Sequence, residues 1–327
     1  MADTDLLSVR VTQITWCSPS VLAFTLAAPD GGSLPSFHAG AHVSVYLPVD
    51  GKPDRVRAYS LVNSDVTNDS VQPQRTYRIA VRRDDNGAGG SLQLHETVRP
   101  GDMLRISKPK NEFSLTEQQG ATLLAGGIGI TPILSMATAL HRAGATFDCW
   151  YASRDRHEAA LLDELERVCS DTLHLHIDNE AGQHIDLMAV LRSGPQRPIY
   201  VCGPKAMIDA TVAAAAELGW PNDLVRFELF GADAANKTQM GYEVVLQFSE
   251  KTLSVKPGQA LLDVLIDEDV DIPYDCRAGF CGLCRIKVVE GAVNHHDTCL
   301  SEADRTQRGY MQACVSHAAC SRLVLDL

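Results

Sequence analysis

Four cysteines of this chain have the spacing of a metal-cluster ligand set. Three of them fall in the nine-residue segment Cys276-Arg-Ala-Gly-Phe-Cys281-Gly-Leu-Cys284, which has the pattern C-x4-C-x2-C, and Cys314 follows further along the chain. Four thiolates with this plant-type spacing hold a [2Fe–2S] cluster. We therefore predict a [2Fe–2S] centre whose metal ligands are Cys276, Cys281, Cys284 and Cys314.

This ligand set has two alternatives, a structural zinc site and a set in which Cys299 replaces Cys314. A structural zinc site takes two short, separate cysteine knuckles, whereas here three cysteines crowd one loop and the fourth is remote. Cys299 is a rival for the fourth position, but it lies in a polar stretch, while Cys314 directly precedes Val315 near the closing strand. Gly279 and Gly282 also favour the cluster loop, because glycine adopts backbone conformations that a β-carbon penalises.

The remaining six cysteines show no ligand spacing among themselves. We expect these residues to be reduced thiols in a cytoplasmic protein, because the acidic start Met1-Ala-Asp-Thr-Asp5 is not followed by the apolar segment of a signal peptide. They are Cys17, Cys149, Cys169, Cys202, Cys299 and Cys320.

Length, composition and net charge limit the number of domains and the kinds of partner that this chain can have. A chain of 327 residues with 45% hydrophobic and 21% charged residues is long enough for two or three globular domains. The formal net charge of −12 argues against a nucleic-acid partner, which needs clustered basic residues. No apolar run is long enough to cross a bilayer, so we expect no membrane-spanning segment.

The pattern of apolar and polar residues changes twice along the chain. Between residue 7 and about residue 107, apolar and polar positions alternate in short runs separated by turn residues, which is typical of an antiparallel barrel or sandwich. From Ala121 the pattern becomes strand, helix, strand, helix, with helices predicted near 131–143, 157–168 and 205–218. Such alternation indicates a parallel sheet with helices on both faces. The C-terminal segment opens with a strand-like run over 244–248, and a short helix is predicted near 260–268, before the cysteine loop.

These changes divide the chain into predicted domains. We expect an antiparallel β-barrel over 1–115, an α/β domain with a parallel sheet over 116–230, a linker over 231–238, and a cluster-binding domain over 239–327.

A glycine-rich turn joins the first strand of the predicted parallel sheet to its first helix. It reads Ala125-Gly126-Gly127-Ile128-Gly129-Ile130-Thr131-Pro132. Glycines let a backbone approach a pyrophosphate, and a helix N-terminus offers N–H donors and a favourable dipole. Thr131 suits an N-cap and Pro132 suits the first helical position. The segment is not the GxGxxG fingerprint, and a plain tight connection is the alternative interpretation.

Two segments of the predicted barrel also carry groups that suit a phosphate and a flat ring. Arg57-Ala58-Tyr59-Ser60 offers a guanidinium, an aromatic ring and a hydroxyl, and the glycine-rich run that ends at Ser91 offers free amides. Taken separately, the first could be an outward-facing pair on a strand and the second a hairpin loop.

The order of these motifs resembles that of phthalate dioxygenase reductase and its vanillate-demethylase-reductase relatives. The order runs Arg-x-Tyr-Ser, Gly-Gly-Ser, Gly-Gly-Ile-Gly-Ile-Thr-Pro, Cys-Gly-Pro and then C-x4-C-x2-C with a distant cysteine, and the resemblance covers essentially the whole chain. It implies a flavin barrel, a pyridine-nucleotide domain and a C-terminal plant-type ferredoxin with an α+β, β-grasp-like fold. The flavin that it implies is FMN.

The resemblance also implies roles for individual residues. It places Ala88 where some relatives have a basic residue, which would weaken FMN binding modestly. The residues that it assigns to FMN are Arg57, Ala58, Tyr59, Ser60, Ala80, Val81, Arg82, Ala88, Gly89, Gly90, Ser91, Thr131 and Phe230. Those that we assign to NAD are Gly126, Gly127, Gly129, Pro132, Arg154, Asp155, Cys202, Gly203 and Pro204.

Candidates for a catalytic role are Cys202, which the resemblance places beside the nicotinamide, and Glu228, a carboxylate near the flavin that could handle a proton or orient a group. Each has an ordinary alternative: Cys202 as a small buried apolar residue, and Glu228 as an acid at the end of a strand. We expect NADH rather than NADPH, because Asp155 follows the second strand, where a carboxylate bonds ribose hydroxyls and repels a 2′-phosphate. Arg154 and Arg156 favour NADPH instead, because a cation attracts the 2′-phosphate.

Together these features predict a reductase that passes electrons from NADH to FMN and on to the cluster. NADH delivers two electrons at once and a [2Fe–2S] cluster accepts one, so a flavin is needed between them. The partner that the resemblance implies is a Rieske-type oxygenase acting on an aromatic acid or a related compound. A cytochrome P450 is an alternative acceptor. A redox sensor without catalytic activity would lack the flavin or nucleotide site, and here both are predicted.

Overall fold

The computed structural model describes residues 6–62, 74–87, 89–115, 120–221, 224–230, 241–249, 251–257, 259–274, 279, 282–297 and 299–327. The chain divides into two compact units, Met1–Glu228 and Leu229–Leu327. The first unit contains an antiparallel barrel and a parallel sheet, and the second unit contains a smaller mixed sheet.

The first part of the first unit is an antiparallel barrel of six strands in the order β4-β3-β6-β1-β2-β5. Burial alternates along parts of β2 and β5, which places one set of their side chains in the barrel interior, as the period of two predicts. An antiparallel bridge between Leu61 and Ile79 joins the two edge strands and closes the sheet. The elements are β1 (Leu6–Ser18), β2 (Val21–Ala27), β3 (His42–Val49), β4 (Lys52–Ser60), β5 (Thr76–Arg82), α1 (Gly90–Thr97) and β6 (Met103–Ser107).

The second part of the first unit is a parallel sheet of five strands in the order β11-β10-β7-β8-β9. Its central strand β7 is buried along its whole length, as expected of a strand covered on both faces. The elements are β7 (Ala121–Gly126), α2 (Ile130–Arg142), β8 (Phe147–Ser153), α3 (Leu162–Cys169), β9 (Leu173–Ile177), α4 (Asp178–Ala181), α5 (Leu187–Ser193), β10 (Ile199–Cys202), α6 (Lys205–Glu217) and β11 (Val225–Glu228).

Two predicted helix starts differ from the structure. Helix α2 begins at Ile130 with Gly129 as its N-cap, so the prediction of Thr131 as N-cap and Pro132 as first helical residue is wrong. The reason is that Gly127–Gly129 already forms a 3₁₀ turn that leads directly into the helix. The helix predicted near 157–168 is interrupted, because Leu161 has a φ of 59°, and α3 starts only at Leu162.

The second unit is a mixed sheet in the order β13-β12-β18-β14-β16, with a separate two-stranded ladder of β15 and β17. Helix α7 packs on the sheet through Leu261, Leu262 and Leu265, which are buried with Val244 and Leu323 in one core. The elements are β12 (Tyr242–Leu246), β13 (Thr252–Val255), α7 (Leu261–Asp267), β14 (Arg285–Glu290), β15 (Val293–Asn294), α8 (Glu302–Thr306), β16 (Tyr310–Gln312), β17 (His317–Ala318) and β18 (Arg322–Leu325).

The three predicted fold types are therefore confirmed: an antiparallel flavin-type barrel, a parallel α/β sheet and a C-terminal α+β domain. The predicted bounds 1–115, 116–230 and 239–327 stay predictions, and the predicted linker 231–238 lies outside the described residues. Among the described residues, no helix combines the length and the apolar character needed to span a membrane.

The barrel and the parallel sheet are joined by polar contacts between side chains. Arg78 on β5 forms a bidentate ion pair with Glu164 on α3, with an Nη2–Oε1 distance of 2.7 Å. Ser20, in the turn before β2, donates to Glu158 Oε2 at 2.5 Å. The side chains of Arg78 and Glu164 are only 21% and 24% exposed, so water screens their charges less than it screens an open surface pair.

We expect Arg78→Ala to lower the free energy of unfolding of the first unit by about 1–3 kcal/mol, because a charge-assisted bidentate pair is lost. Arg83→Ala is the matched control: its pairs with Asp85 and Glu96 are more exposed, so its effect on the free energy of unfolding should be much smaller than that of Arg78→Ala. Urea unfolding followed by tryptophan fluorescence measures this unit alone, since Trp16, Trp150 and Trp220 all lie in it. Equal shifts in the two variants would contradict the role of the pair.

Candidate flavin, nucleotide and cluster sites

Strand β4 carries the predicted Arg57-Ala58-Tyr59-Ser60 motif and one further cation. Arg55, Arg57 and Tyr59 are separated by two residues each, so they lie on the same face of the strand. The sequence analysis did not predict Arg55, although the period of two was a signal that could have found it. Arg55 donates from Nη1 to Gln93 Oε1 at 3.0 Å and is thereby held against helix α1.

The glycines at the start of α1 lie against these two arginines. A β-carbon on Gly90 would lie 2.8 Å from Arg57 Cγ and 3.3 Å from Arg55 Cδ, so no larger residue fits there without displacing them. Gly89 is the N-cap of α1 and has a φ of 81°, which favours glycine. Free amides at a helix start and two guanidinium groups are a suitable donor set for a terminal phosphate. Ala88, predicted to contact the same phosphate, lies outside the described residues.

Two further polar groups of this region have the environment of a ring-binding site. Ser60 Oγ is buried and, within the part of the chain that the structure describes, has no hydrogen-bond partner. Burial raises the pKa of Tyr59 to about 12, and the nearby Arg57 offsets this only in part, so the phenol is neutral at pH 7. An unpartnered buried hydroxyl beside a neutral phenol fits a flavin ring that supplies the missing partner.

Strand β5 supplies the opposite wall of the predicted flavin site. Ala80 and Val81 are buried, and Arg82 is exposed at the end of the strand. Ser91, by contrast, uses its hydroxyl to accept a hydrogen bond from Asp84 N at 3.0 Å, so its side chain fixes the loop that precedes α1. The turn Gly127–Gly129 lies beside β5, which brings the predicted flavin strand and the nucleotide turn together.

The glycine-rich turn packs against the segment that follows β10. A β-carbon on Gly129 would lie 2.1 Å from the carbonyl oxygen of Cys202, and one on Gly126 would lie 2.7 Å from Pro204 Cδ. Gly129 is therefore required by a contact with the backbone of Cys202, and Gly126 by a contact with the ring of Pro204 and the side chain of Met207. Neither reason was predicted from the sequence. Gly127 has open space around its Cα.

Helix α2 fixes the two residues that follow this turn. Thr131 Oγ1 donates to the carbonyl of Ile128 at 3.0 Å, and Pro132 is buried. Their predicted contacts with FMN and NAD, and the predicted phosphate contacts of Gly126, Gly127 and Gly129, stay predictions.

Cys202 and Glu228 are neighbours in register at the carboxyl ends of β10 and β11. Both side chains are buried, and Glu228 Oε2 has no hydrogen-bond partner among the described residues. Burial, together with the charge of Glu112, raises the pKa of Glu228 to about 8. Burial also raises the pKa of Cys202, and Glu228 adds to that shift. At pH 7 the crevice therefore holds a neutral thiol and a mostly protonated carboxyl group that can donate a hydrogen bond.

Strand β8 ends in the segment predicted to meet the adenosine ribose. Asp155 accepts from His157 N at 2.9 Å and from Asn179 Nδ2 at 3.3 Å. The hydrogen bond from His157 is the main cause that lowers the pKa of Asp155, so this carboxylate is ionised at neutral pH. Arg154 is exposed beside it.

In the second unit, two of the four predicted cluster ligands are described. Cys284 and Cys314 are buried at adjacent ends of the paired strands β14 and β16, and Gln312 Oε1 lies 3.1 Å from Cys284 Sγ. Cys299 is exposed, which is consistent with the choice of Cys314 as the fourth ligand. Cys276 and Cys281 lie outside the described residues, and among the described side chains no group of three or more metal-ligating residues is found.

The two loop glycines have the backbone conformations that the sequence predicted. Gly279 and Gly282 have φ values of 79° and 76°, in the left-handed region. A β-carbon on Gly279 would also collide with Val315, 2.6 Å away. The remaining predicted site residue, Phe230, is half-buried just after β11 and belongs to the second unit, and its role over the flavin ring stays a prediction.

Comparison with known proteins agrees with this arrangement. Residues 123–213 match the model of an oxidoreductase NAD-binding domain, and residues 244–319 match that of a 2Fe-2S iron-sulfur cluster binding domain. The putative toluene-4-sulfonate monooxygenase system reductase subunit of Comamonas testosteroni is 38% identical over 98% of both chains. The crystallised phthalate dioxygenase reductase superposes with a TM-score of 0.79, at 33% identity over 98% of both chains.

The chain belongs to the phthalate dioxygenase reductase family. It is accordingly an NADH-dependent oxidoreductase that uses FMN and a [2Fe–2S] cluster. A solved self-sufficient cytochrome P450 monooxygenase also contains a related segment: it is 31% identical over 98% of this chain, which spans 41% of that longer protein, with a TM-score of 0.67.

In this reductase we expect Arg55→Gln to weaken FMN binding by about 10- to 100-fold, because a cation facing the phosphate is lost. Riboflavin, which lacks the phosphate, should bind the variant and the wild type equally. Fluorescence titration of the flavin-free protein with each ligand measures both affinities.

Arg105→Gln is the control for this prediction, since Arg105 on β6 pairs instead with Asp54. It removes the same charge and should leave the FMN affinity within about twofold. If Arg55→Gln weakened riboflavin as much as FMN, Arg55 would be supporting the loop rather than the phosphate.

Proposed function

We propose that this protein is the reductase component of a Rieske-type oxygenase system that acts on an aromatic or related substrate. One observation carries the proposal: a single chain combines a flavin barrel, a nucleotide sheet and a cluster domain, and a relative of the same length is named as the reductase subunit of a monooxygenase system. That name applies to the relative, and its extension to this chain is our inference.

The first unit would bring nicotinamide and flavin together. The glycine turn packs on the Cys202–Pro204 segment of the parallel sheet and also lies beside strand β5 of the barrel. The turn therefore connects the predicted nicotinamide position with the predicted flavin position. The neutral Cys202 and Glu228 would bound the crevice where the nicotinamide enters and would place no full charge beside it. When bound, FMN accepts a hydride from NADH and releases electrons singly.

The second unit would carry the electron onward. Its four cysteines would hold the cluster as thiolates, with Cys284 and Cys314 fixed by the pairing of β14 with β16. We also propose a cytoplasmic location, since Cys17, Cys149, Cys169, Cys202 and Cys320 are free thiols and an oxidising compartment favours disulfides.

A cytochrome P450 is the second candidate acceptor. The related segment within a self-sufficient P450 monooxygenase supports this alternative. The flavin, nucleotide and cluster sites would serve either acceptor equally, so only the acceptor itself distinguishes the two functions.

We expect Cys314→Ser to remove the cluster and abolish electron delivery to a purified Rieske-type phthalate dioxygenase, while NADH still reduces the flavin. Cys299→Ser is the control and should retain both the cluster and electron delivery, because Cys299 is exposed and outside the ligand set. Iron and acid-labile sulfide are assayed beside stopped-flow absorbance. Loss of the cluster in the control and its survival in Cys314→Ser would refute the ligand assignment.

The acceptor is tested with the unaltered protein. Under anaerobic conditions with NADH, reduction of the Rieske centre of the dioxygenase is compared with reduction of an isolated P450 haem domain from which the reductase segment has been removed. We expect faster reduction of the Rieske centre. Faster reduction of the haem domain would favour the P450 function.

The protonation state of Glu228 leads to a prediction on pH. The pKa of Glu228 is raised to about 8, so the neutral form predominates at pH 7 and is lost as the pH rises through about 8. The rate constant of flavin reduction by NADH should fall over this range in the wild type. In Glu228→Gln the rate should be independent of pH there, because the amide stays neutral. The exposed Glu217→Gln is the control, and a fall that persists in Glu228→Gln would show that another group titrates.

A further inference from the structure

Two loops at the carboxyl edge of the parallel sheet are tied to each other. The loop after β8 carries Arg154, Asp155 and Arg156, and the short helix α4 follows β9 directly. Asn179 on α4 donates from its backbone N to the carbonyl of Arg154 at 3.1 Å and from Nδ2 to Asp155 Oδ2 at 3.3 Å. Arg154 and Asp155, which we predict to lie beside the adenosine ribose, are therefore positioned by the segment after β9 as well as by β8.

An ion pair also joins the loop after β8 to helix α4. Arg156 donates from Nε to Glu180 Oε1 at 2.8 Å and from Nη2 to Glu180 Oε2 at 2.7 Å, so one whole edge of the guanidinium group is occupied by the carboxylate. Both side chains are 53% exposed, which leaves the pair within reach of a ligand at this edge. The sequence analysis identified Arg156 as a cation that would favour NADPH but did not identify the acid that binds it.

This pairing changes the charge that a nucleotide meets. A 2′-phosphate is recognised by arginine through two parallel N–H···O bonds, and Glu180 already takes that pair of donors. Asp155 and Glu180 together place two carboxylates at this edge, and both repel a phosphate dianion. A ribose 2′-hydroxyl, in contrast, can donate to Asp155.

We propose that Glu180 is a specificity-determining residue that excludes NADPH by holding Arg156 and by repelling the 2′-phosphate. The proposal rests on the proposed placement of the adenosine ribose beside Asp155, and it adds a residue from the next strand to that site. An exposed ion pair of this kind contributes little to stability, so its removal should leave the protein folded.

The test compares Glu180→Gln with the wild type, using a dye as electron acceptor so that the result does not depend on the oxygenase. We expect kcat/KM for NADPH to rise about tenfold or more as Arg156 becomes available to the 2′-phosphate, with kcat/KM for NADH changed less than about threefold. Calorimetric titration without turnover should show tighter binding of 2′,5′-ADP and unchanged binding of 5′-ADP.

Two further variants separate the possible causes. Glu180→Gln/Arg156→Ala should lose the gain, because the released guanidinium group is absent. Glu217→Gln removes one exposed acid from α6 and should leave both nucleotides unaffected, which controls for net charge. A gain that persists in the double variant, or that also appears in Glu217→Gln, would overturn the proposal, as would unchanged NADPH kinetics in Glu180→Gln.

The placement of the ribose has its own control. Asp155→Ala should weaken 5′-ADP binding if the adenosine ribose lies at this edge. Unchanged 5′-ADP binding in Asp155→Ala would overturn the placement and the Glu180 proposal together, whereas failure of electron transfer to a Rieske oxygenase would leave both intact.

Discussion

The contact between the glycine-rich turn and the end of β10 is the constraint on which the first unit depends. Gly129 and the carbonyl of Cys202 meet without room for a β-carbon, and Gly126 lies against the ring of Pro204 and the side chain of Met207. Helix α2 starts directly after the turn, and β7 and β10 pair side by side up to Ala125 and Cys202. The position of Cys202, and through it that of Glu228, follows from this contact.

Burial gives the crevice its electrostatic character. A buried carboxyl group is costly to ionise, and Glu228 Oε2 has no hydrogen-bond partner among the described residues, so Glu228 retains its proton near neutral pH. The predicted phosphate end of the flavin site has the opposite character, with two arginines around the glycines at the start of α1. If these predictions hold, positive charge lies where a phosphate needs it, and the predicted position of hydride transfer carries no full charge.

The sequence predicted those features that depend on local patterns. Strand β9 runs over Leu173–Ile177 as expected, and the alternation of strands and helices after Ala121 identified the parallel sheet. The predicted ligand set could be proposed because three of its four cysteines have the spacing of one cluster-binding loop. Arg55 and Glu180 were not predicted, because each acquires its role from a residue distant in sequence: the glycines of α1 in one case and Arg156 in the other. The start of α2 was wrong because a capping preference at Thr131 gave way to tertiary packing at Gly129.

The strand order β11-β10-β7-β8-β9 keeps two tasks on opposite halves of one sheet. Cys202 and Glu228 belong to the β10–β11 half, and the ion pair of Arg156 with Glu180 belongs to the β8–β9 half. Three strand spacings separate β10 from β9, a distance of about 14 Å. Evolution, or an engineer, can therefore connect such a reductase to a different pool of cellular reductant by changing the outer half of the sheet, and the geometry of the redox step stays untouched.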